Sequence, residues 1–272
     1  MITSFRQSSL STWDNCPEQF RRRYIEGEII PPGLAAHIGT GVHKAAEVNH
    51  RAKIKTGQDE PLDVIQDAAR DGYITAVKDK RAYFAPEDRP SARAQAEAGV
   101  DEVVTLAGLY HAQIAPEIRP ALIEKRVELW VPGLDLPISG TIDLLDEAGT
   151  LIDFKTASKA WPADRAHHSP QATIYHKLVE ADTGQPPDEI RFEIMIKGAK
   201  PRRQTLSTDR TEDDFMALVG RLVIIHRMIQ AGIFPPAQAG SWICGPRYCG
   251  YFWSCPYIPA HRKIIPVSIH AQ

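Results

Sequence analysis

The hydrophobic period along the chain is helical at first, changes to strands in the middle, and closes on one long helix and a tail. Ser9 and Ser11 precede residues 13–27 (WDNCPEQFRRRYIEG), which read as a short helix with Trp13, Phe20 and Tyr24 on its apolar side and Gly27 beyond its end. A second helix is expected to begin after Gly39-Thr40-Gly41 and to end near Gly57. Leu62–Tyr83 and Ser91–Ile114 are further helical stretches, rich in alanine and charge. The period then becomes two. Residues 121–133 (ALIEKRVELWVPG) alternate as a strand with Val127, Leu129 and Val131 on one side. PISGTIDLL and TLIDFKTAS follow as two more strands, separated by the turn-like Asp146-Glu147-Ala148-Gly149. Pro170–Ala181 reads as helix, Glu189–Lys197 and Gln204–Thr208 as strands, and Thr211–Ala231 as a long amphipathic helix. The sum is an α/β chain with a helical N-terminal region.

The strand pattern brings chemistry together. Residues two apart on a strand share a face, so Asp153 and Lys155 point the same way. If residues 146–150 form an odd-length hairpin loop, Leu145 opposes Leu151 and Asp143 opposes Asp153. An even-length loop would send Asp143 to the other face. Two carboxylates held close repel each other unless a divalent cation sits between them, and carboxylate, carbonyl and water oxygens are the ligands Mg²⁺ prefers. A metal there acidifies a bound water and neutralises charge developing on a phosphoryl group, with Lys155 beside it as a point charge. The arrangement suits metal-dependent phosphodiester hydrolysis. The tripeptide D-x-K alone fits a surface salt pair equally well.

The chain has 272 residues, of which 43% are hydrophobic, enough for a substantial core in one large domain or two small ones. No Gly/Ser linker, repeat or low-complexity tract divides it, so one domain over 1–272 is expected: a mainly helical part (1–120), a catalytic core (121–208) and a helix with tail (209–272). The net charge is only −2, so a nucleic acid would be held by local basic patches. Arg21-Arg22-Arg23 and the stretch Lys197–Arg203 are either such patches or solvated surface. The opening MITSFRQSSL lacks a basic-then-apolar signal, and no apolar run is long enough to span a membrane. A cytoplasmic chain with reduced thiols is expected.

That expectation bears on the four cysteines, Cys16, Cys244, Cys249 and Cys255, each beside Pro or Gly. Four thiolates close either a structural zinc site or an iron–sulphur cluster. Two disulfides or buried free thiols are the alternatives, the first disfavoured by compartment and the second by three cysteines within twelve residues. The spacing C-x4-C-x5-C is looser than a zinc knuckle. Trp242, Tyr248, Tyr251, Phe252, Trp253 and Tyr257 crowd these cysteines, as packing or as stacking platforms for unpaired bases.

Taken in order, these strings resemble the PD-(D/E)XK nuclease superfamily, and within it the RecB-like exonucleases with an iron–sulphur cluster, including CRISPR-adaptation and AddB-type nuclease domains. The carriers are S-x-S-x-L-S-T-W-x-x-C-P-x-x-F up to Phe20 (its serine spacing slightly off the family's box), G-T-G-V-H, Asp143 in SGTID, Asp153-Phe154-Lys155, Gln171-x-x-x-Tyr175, and one early and three late cysteines. The resemblance implies a restriction-endonuclease-like core: a central mixed sheet flanked by helices, with a Cys-rich tail. It implies Mg²⁺ or Mn²⁺ held by His43, Asp143, Asp153 and the carbonyl of Phe154, with Lys155 assisting the nucleophilic water. Gln171 and Tyr175, one helical turn apart, would face the site. Glu124 and Glu128 compete as an additional acid. Cys16, Cys244, Cys249 and Cys255 would hold a 4Fe-4S cluster, with zinc as the alternative, stapling the N-terminal helix to the tail. The implied activity is a DNA exonuclease on single strands or frayed ends in recombination, repair, phage replication or CRISPR adaptation. A non-specific endonuclease or nickase, or a cluster-bearing DNA-binding subunit, are the alternatives. No G-x-x-x-x-G-K-[ST] loop is present, so unwinding would fall to a helicase, recombinase or CRISPR-adaptation partner.

Overall fold

The computed structural model describes residues 2–263. The end of the Cys-rich tail, 264–272, lies outside the described residues. The first helix, α1 (Gln7–Asn15), starts earlier than its pattern predicts and stops at Cys16. Cys16 takes an extended conformation, φ −168° and ψ 107°, because the following Pro17 disfavours helical backbone before it. A short α2 (Pro17–Phe20) and a π-helical turn over Arg21–Ile25 resume the path. The expected single helix is therefore two helices broken at a cysteine.

Three long helices follow: α3 (Leu34–Thr56), α4 (Leu62–Lys80) and α5 (Ala92–Gln113). The start of α3 also precedes its prediction, since Gly39 and Gly41 lie inside the helix. Gly41 is there for close packing. A Cβ on it would lie 2.6 Å from both the Ala69 carbonyl and Val103 Cγ2. At the other end Gly57, φ +75°, caps α3 as expected.

The sheet has five strands in the order β1-β2-β3-β4-β5: β1 (Pro120–Leu129), β2 (Ile138–Asp146), β3 (Thr150–Ala157), β4 (Glu189–Ile196) and β5 (Arg202–Thr208). All neighbours are antiparallel except β3 and β4, which run parallel through the crossover helix α6 (Pro170–Thr183). The last helix, α7 (Glu212–Gln230), begins with a Thr211/Asp214 capping box. One face of the sheet packs with α1, α6 and α7 through Leu10, Ile142, Leu178 and Leu222. The other packs with α3, α4 and α5 through Val42, Ala69, Leu106, Leu144 and Phe154. This is the mixed sheet flanked by helices that the resemblance implies.

Strict alternation fails at one level of the sheet. Ile142 packs on one face and Leu144 on the other, although a period of two puts both on the same side. Across from this step, Glu124 of β1 takes φ +47°, a left-handed backbone that a glutamate rarely adopts. Its neighbours Ile123 and Lys125 pair with Leu144 and Ile142. The β2–β3 ladder runs only through Leu144↔Ile152 and Leu145↔Leu151, the register of the odd-length loop. Beyond it the two strands part, and Asp143 and Asp153 sit at the opening.

Candidate active site

Every catalytic candidate gathers at this opening. Lys155 Nζ lies 2.5 Å from Asp153 Oδ2, and Gln171 Nε2 donates to Asp153 Oδ1 at 2.5 Å. His43 of α3 reaches over from the second layer. Its Nε2 lies 2.9 Å from the Phe154 carbonyl, and its Nδ1 lies 3.4 Å from Asp143 Oδ2. With Nε2–H donating to that carbonyl, Nδ1 carries a free lone pair and faces a carboxylate oxygen, so two acceptors confront each other. Asp143 Oδ2 and Asp153 Oδ2 are both buried without a hydrogen-bond partner. The Lys155 contact to the latter is an ion pair that lacks hydrogen-bond geometry.

Burial first, and the Asp153 charge second, raise the Asp143 carboxyl well above the ordinary carboxylate range. Glu124 is pushed up to about 6 by burial and by Asp143. Burial holds His43 below its usual value, so its imidazole is neutral and free to act as a ligand. His43, Glu124 and Asp143 offer three ligand atoms within 4.8 Å of one another. Orphaned carboxylate oxygens, a neutral imidazole and a crowd of acids fit a divalent cation.

Glu124 resolves the competition between the two acids of β1. Glu128 is exposed and paired with Arg126, whereas Glu124 is carried to the site by its left-handed backbone. The plain alternation of ALIEKRVEL hides that backbone. Tyr175 lines the same cleft as Asp143, and its hydroxyl is held protonated by burial and both aspartates. The α6 helix bearing Gln171 and Tyr175 approaches closely because position 140 is glycine. A Cβ there would lie 2.9 Å from Tyr175 Cε1 and 2.8 Å from Leu178 Cδ1.

Behind Phe154 lies a polar support that sequence reading missed. His50, two turns after His43 on α3, stacks on the Phe154 ring with centroids 5.7 Å apart. It also bonds Tyr110 Oη at 2.9 Å, and Asn49 Nδ2 donates to the same hydroxyl. Burial lowers His50 to about 4, so it stays neutral. The i, i+7 spacing of the two histidines was the available signal.

The four cysteines line one cavity of about 440 Å³, together with Tyr251, Phe252 and Tyr257. Burial raises the Cys249 thiol to about 11, and burial followed by Cys16 and Cys255 raises Cys244. Among the described residues, no three of these sulphurs lie within 4.8 Å of one another. The tail is not held by its thiols alone. Arg22 lies over the Tyr251 ring at 4.9 Å, the Tyr251 hydroxyl donates to the Glu28 carbonyl, and Tyr83 Oη donates to the Pro246 carbonyl at 2.5 Å.

Each expected basic patch is partly paired, with Arg23, Lys200 and Arg202 left without a carboxylate partner among the described residues. Arg21 pairs with Glu18 and Glu26, and Arg22 with Glu28. In the second stretch Arg203 forks onto buried Glu193 and reaches Glu117, while Lys197 faces Glu102 at 3.5 Å. Of these, Arg203 ties the sheet to the end of α5 through a buried acid. Of the tail aromatics, Tyr251 and Phe252 are buried, whereas Trp242, Tyr248 and Tyr257 are exposed.

A family model for the PD-(D/E)XK nuclease superfamily matches residues 4–256. The chain belongs to this superfamily. Membership implies a hydrolytic nuclease that uses divalent metal, with DNA as substrate. The crystal structure of a candidate exonuclease from Eubacterium rectale superposes with a TM-score of 0.56 at 9% identity, covering 87% of this chain and 85% of that one. At such identity the likeness speaks for the fold alone. The crystal structure of SSO0001, at 15% identity over 81% of this chain and 97% of its own, has a TM-score of 0.36 and carries no argument. No curated protein matches the chain. No described helix is long and apolar enough to cross a membrane.

Proposed function

We propose that this chain is a Mg²⁺- or Mn²⁺-dependent DNA exonuclease of the RecB-like branch, acting on single strands or frayed ends. The observation that carries the reading is the pair of buried, partnerless carboxylate oxygens on Asp143 and Asp153, faced by the free nitrogen of His43 and flanked by Lys155. His43, Asp143, Asp153 and the Phe154 carbonyl would hold the cation, joined by Glu124. When bound, the cation acidifies a water and offsets charge on the phosphoryl oxygens. Gln171 fixes Oδ1 of Asp153 by hydrogen bond, which leaves Oδ2 directed at Lys155. The Lys155 ammonium, kept beside that carboxylate, stabilises the attacking hydroxide and the developing negative charge on phosphorus-bound oxygen. Tyr175 stays a protonated donor in the cleft, suited to hold a phosphate oxygen in place.

The four cysteines are assigned to a 4Fe-4S cluster. What supports the assignment is that Cys16, Cys244, Cys249 and Cys255 line one cavity, and four thiolates close either such a cluster or, as the alternative, a structural zinc site. The cluster joins Cys16 to the tail, and residues 1–272 then act as one domain. A helicase, recombinase or CRISPR-adaptation complex would supply strand separation, and the cytoplasm is the expected compartment.

Anaerobically purified protein, assayed with linear and circular single-stranded DNA in Mg²⁺ or Mn²⁺, tests this reading. Release of short products from the linear form alone is the expected result, lost in Lys155→Ala. Cutting of circles would make it an endonuclease, and binding without turnover a DNA-binding subunit. Iron and zinc content with the iron–sulphur absorbance band decides the cluster.

A further inference from the structure

A polar cleft of about 230 Å³ opens directly from Asp143 and Tyr175. Its other walls bring together three separate elements. Arg6 and Ser8 come from the start of α1, Arg126 from β1, and Thr141 from β2. The arginines differ from Arg21, Arg22 and Arg203, which are held by carboxylates. Among the described residues Arg6 has no carboxylate within ion-pair distance, and its Nε touches only Ser4 Oγ at 3.4 Å. Arg126 has a side chain 59% exposed and one contact to the exposed Glu128, a rim pair that a stronger anion displaces. Among the described residues Asp143 is the only acid on the cleft wall, and it belongs to the candidate metal centre.

Hydrolysis at the metal centre places the scissile phosphate against Asp143. The neighbouring phosphate of the same strand must then lie somewhere close by, and it needs its own neutralisation. The cleft supplies two guanidinium forks, the hydroxyls of Ser8 and Thr141, and the amides of the first turn of α1, which lack helical acceptors. Every group beyond Asp143 is a donor or can act as one.

We propose that this cleft is a subsite for the backbone phosphate adjacent to the one being cut, clamped between Arg6 and Arg126. The proposal rests on the nuclease reading and adds where the strand runs. It assigns strand positioning to α1, a helix whose other end is broken at Cys16.

The test compares wild type with Arg6→Gln, Arg126→Gln and the double variant, using Arg93→Gln, an exposed arginine on α5, as control. Binding of a linear single-stranded oligonucleotide is titrated against salt with Ca²⁺ replacing Mg²⁺. Each cleft arginine should lower the slope of log K against log salt by about 0.7, and the pair by about 1.4, with no change in the control. In Mg²⁺, oligonucleotides carrying one neutral methylphosphonate at successive positions are then cleaved. One position beside the cut should raise KM for wild type and add nothing further in the double variant. Unchanged slopes, or a penalty that persists in the double variant, overturn the subsite. A wild-type scan with no sensitive position beside the cut does so without any variant. A wild type that neither binds nor cuts the oligonucleotide overturns the nuclease reading first, and the subsite with it.

Discussion

Substituting Gly140 with alanine tests whether close approach of α6 to β2 sets the active site. The new methyl would sit 2.8 Å from Leu178 Cδ1 and 2.9 Å from Tyr175 Cε1. Carbon atoms prefer about 3.5–4.0 Å, so something must move by roughly 0.6–1.2 Å. Leu178 is fully buried and cannot swing into solvent, so the displacement falls on α6 and on the Tyr175 ring. Overpacking of this kind costs about 1–3 kcal/mol, against which replacing a strand glycine returns about 0.5–1 kcal/mol. The net is a loss of about 0–2.5 kcal/mol, or several degrees in Tm at roughly 2–4 °C per kcal/mol. The catalytic effect should be larger. Gln171 and Tyr175 ride on α6, and about 1 Å of misplacement at a reacting centre costs on the order of 10²-fold in rate. Calorimetry and oligonucleotide cleavage should therefore show a modest fall in Tm beside a steep fall in kcat. Gly220→Ala is the control, with nothing within 4 Å of its Cβ on an exposed turn of α7, and it should gain up to about 1 kcal/mol. Near-wild-type kcat in Gly140→Ala would refute the idea that this contact positions the site.

Other perturbations separate stability from chemistry. Asp143→Asn should abolish cleavage yet raise the Tm of metal-free protein, because it removes one member of a repelling buried pair; a lower Tm in chelator would contradict this. Glu124 has its carboxyl raised from about 4.5 to about 6, so its ionisation disfavours the metal-free fold, which loses that share of stability as pH rises from about 4.5 through 6. Cation binding needs the ionised form, so Mn²⁺ affinity by calorimetry should fall about tenfold per pH unit for each proton displaced below pH 6, a slope that Glu124→Gln should flatten. Cys16→Ser should lower iron content and Tm together. The tail should nonetheless stay partly docked to limited proteolysis, because Tyr251 and Tyr83 hold it by bonds that need no metal. Full iron content in that variant would remove Cys16 from the ligand set.

The hairpin that carries the chemistry was legible because its information is local. The turn residues 146–149 set the Leu145↔Leu151 register, which leaves Asp143 and Asp153 side by side just past the end of the ladder, although the period of two breaks between Ile142 and Leu144. The helix starts were less legible. Gly39 and Gly41 read as a boundary, and only the contact with α4 and α5 reveals a packing glycine inside a helix. The basic stretches misled for a similar reason. A run of basic residues has the same spelling whether it faces DNA or, as with Arg22 on Glu28 and Arg203 on buried Glu193, is taken up by carboxylates of the fold. Glu124 was legible only as one of two competing acids, since nothing in ALIEKRVEL announces the positive φ that brings it and not Glu128 to the site. The arginines that line the cleft, Arg6 and Arg126, are isolated in sequence and become a pair only once α1 is laid beside the sheet.

The ring of four cysteines also sets a clock. Cys16 and Cys244 line one cavity but stand 228 residues apart in the chain. At roughly 5–20 residues per second of synthesis, the first thiol waits about 10–50 s before its partners exist. During that interval the segment around Cys16 has neither the tail aromatics nor the other thiols to cover it. A chain halted between Ala157 and Cys244 can form its aspartate hairpin and still leave this thiol bare. Oxidation or alkylation of Cys16 on stalled chains is therefore a record of incomplete synthesis, and arrival of Cys244, Cys249 and Cys255 is what completes the cavity beside it.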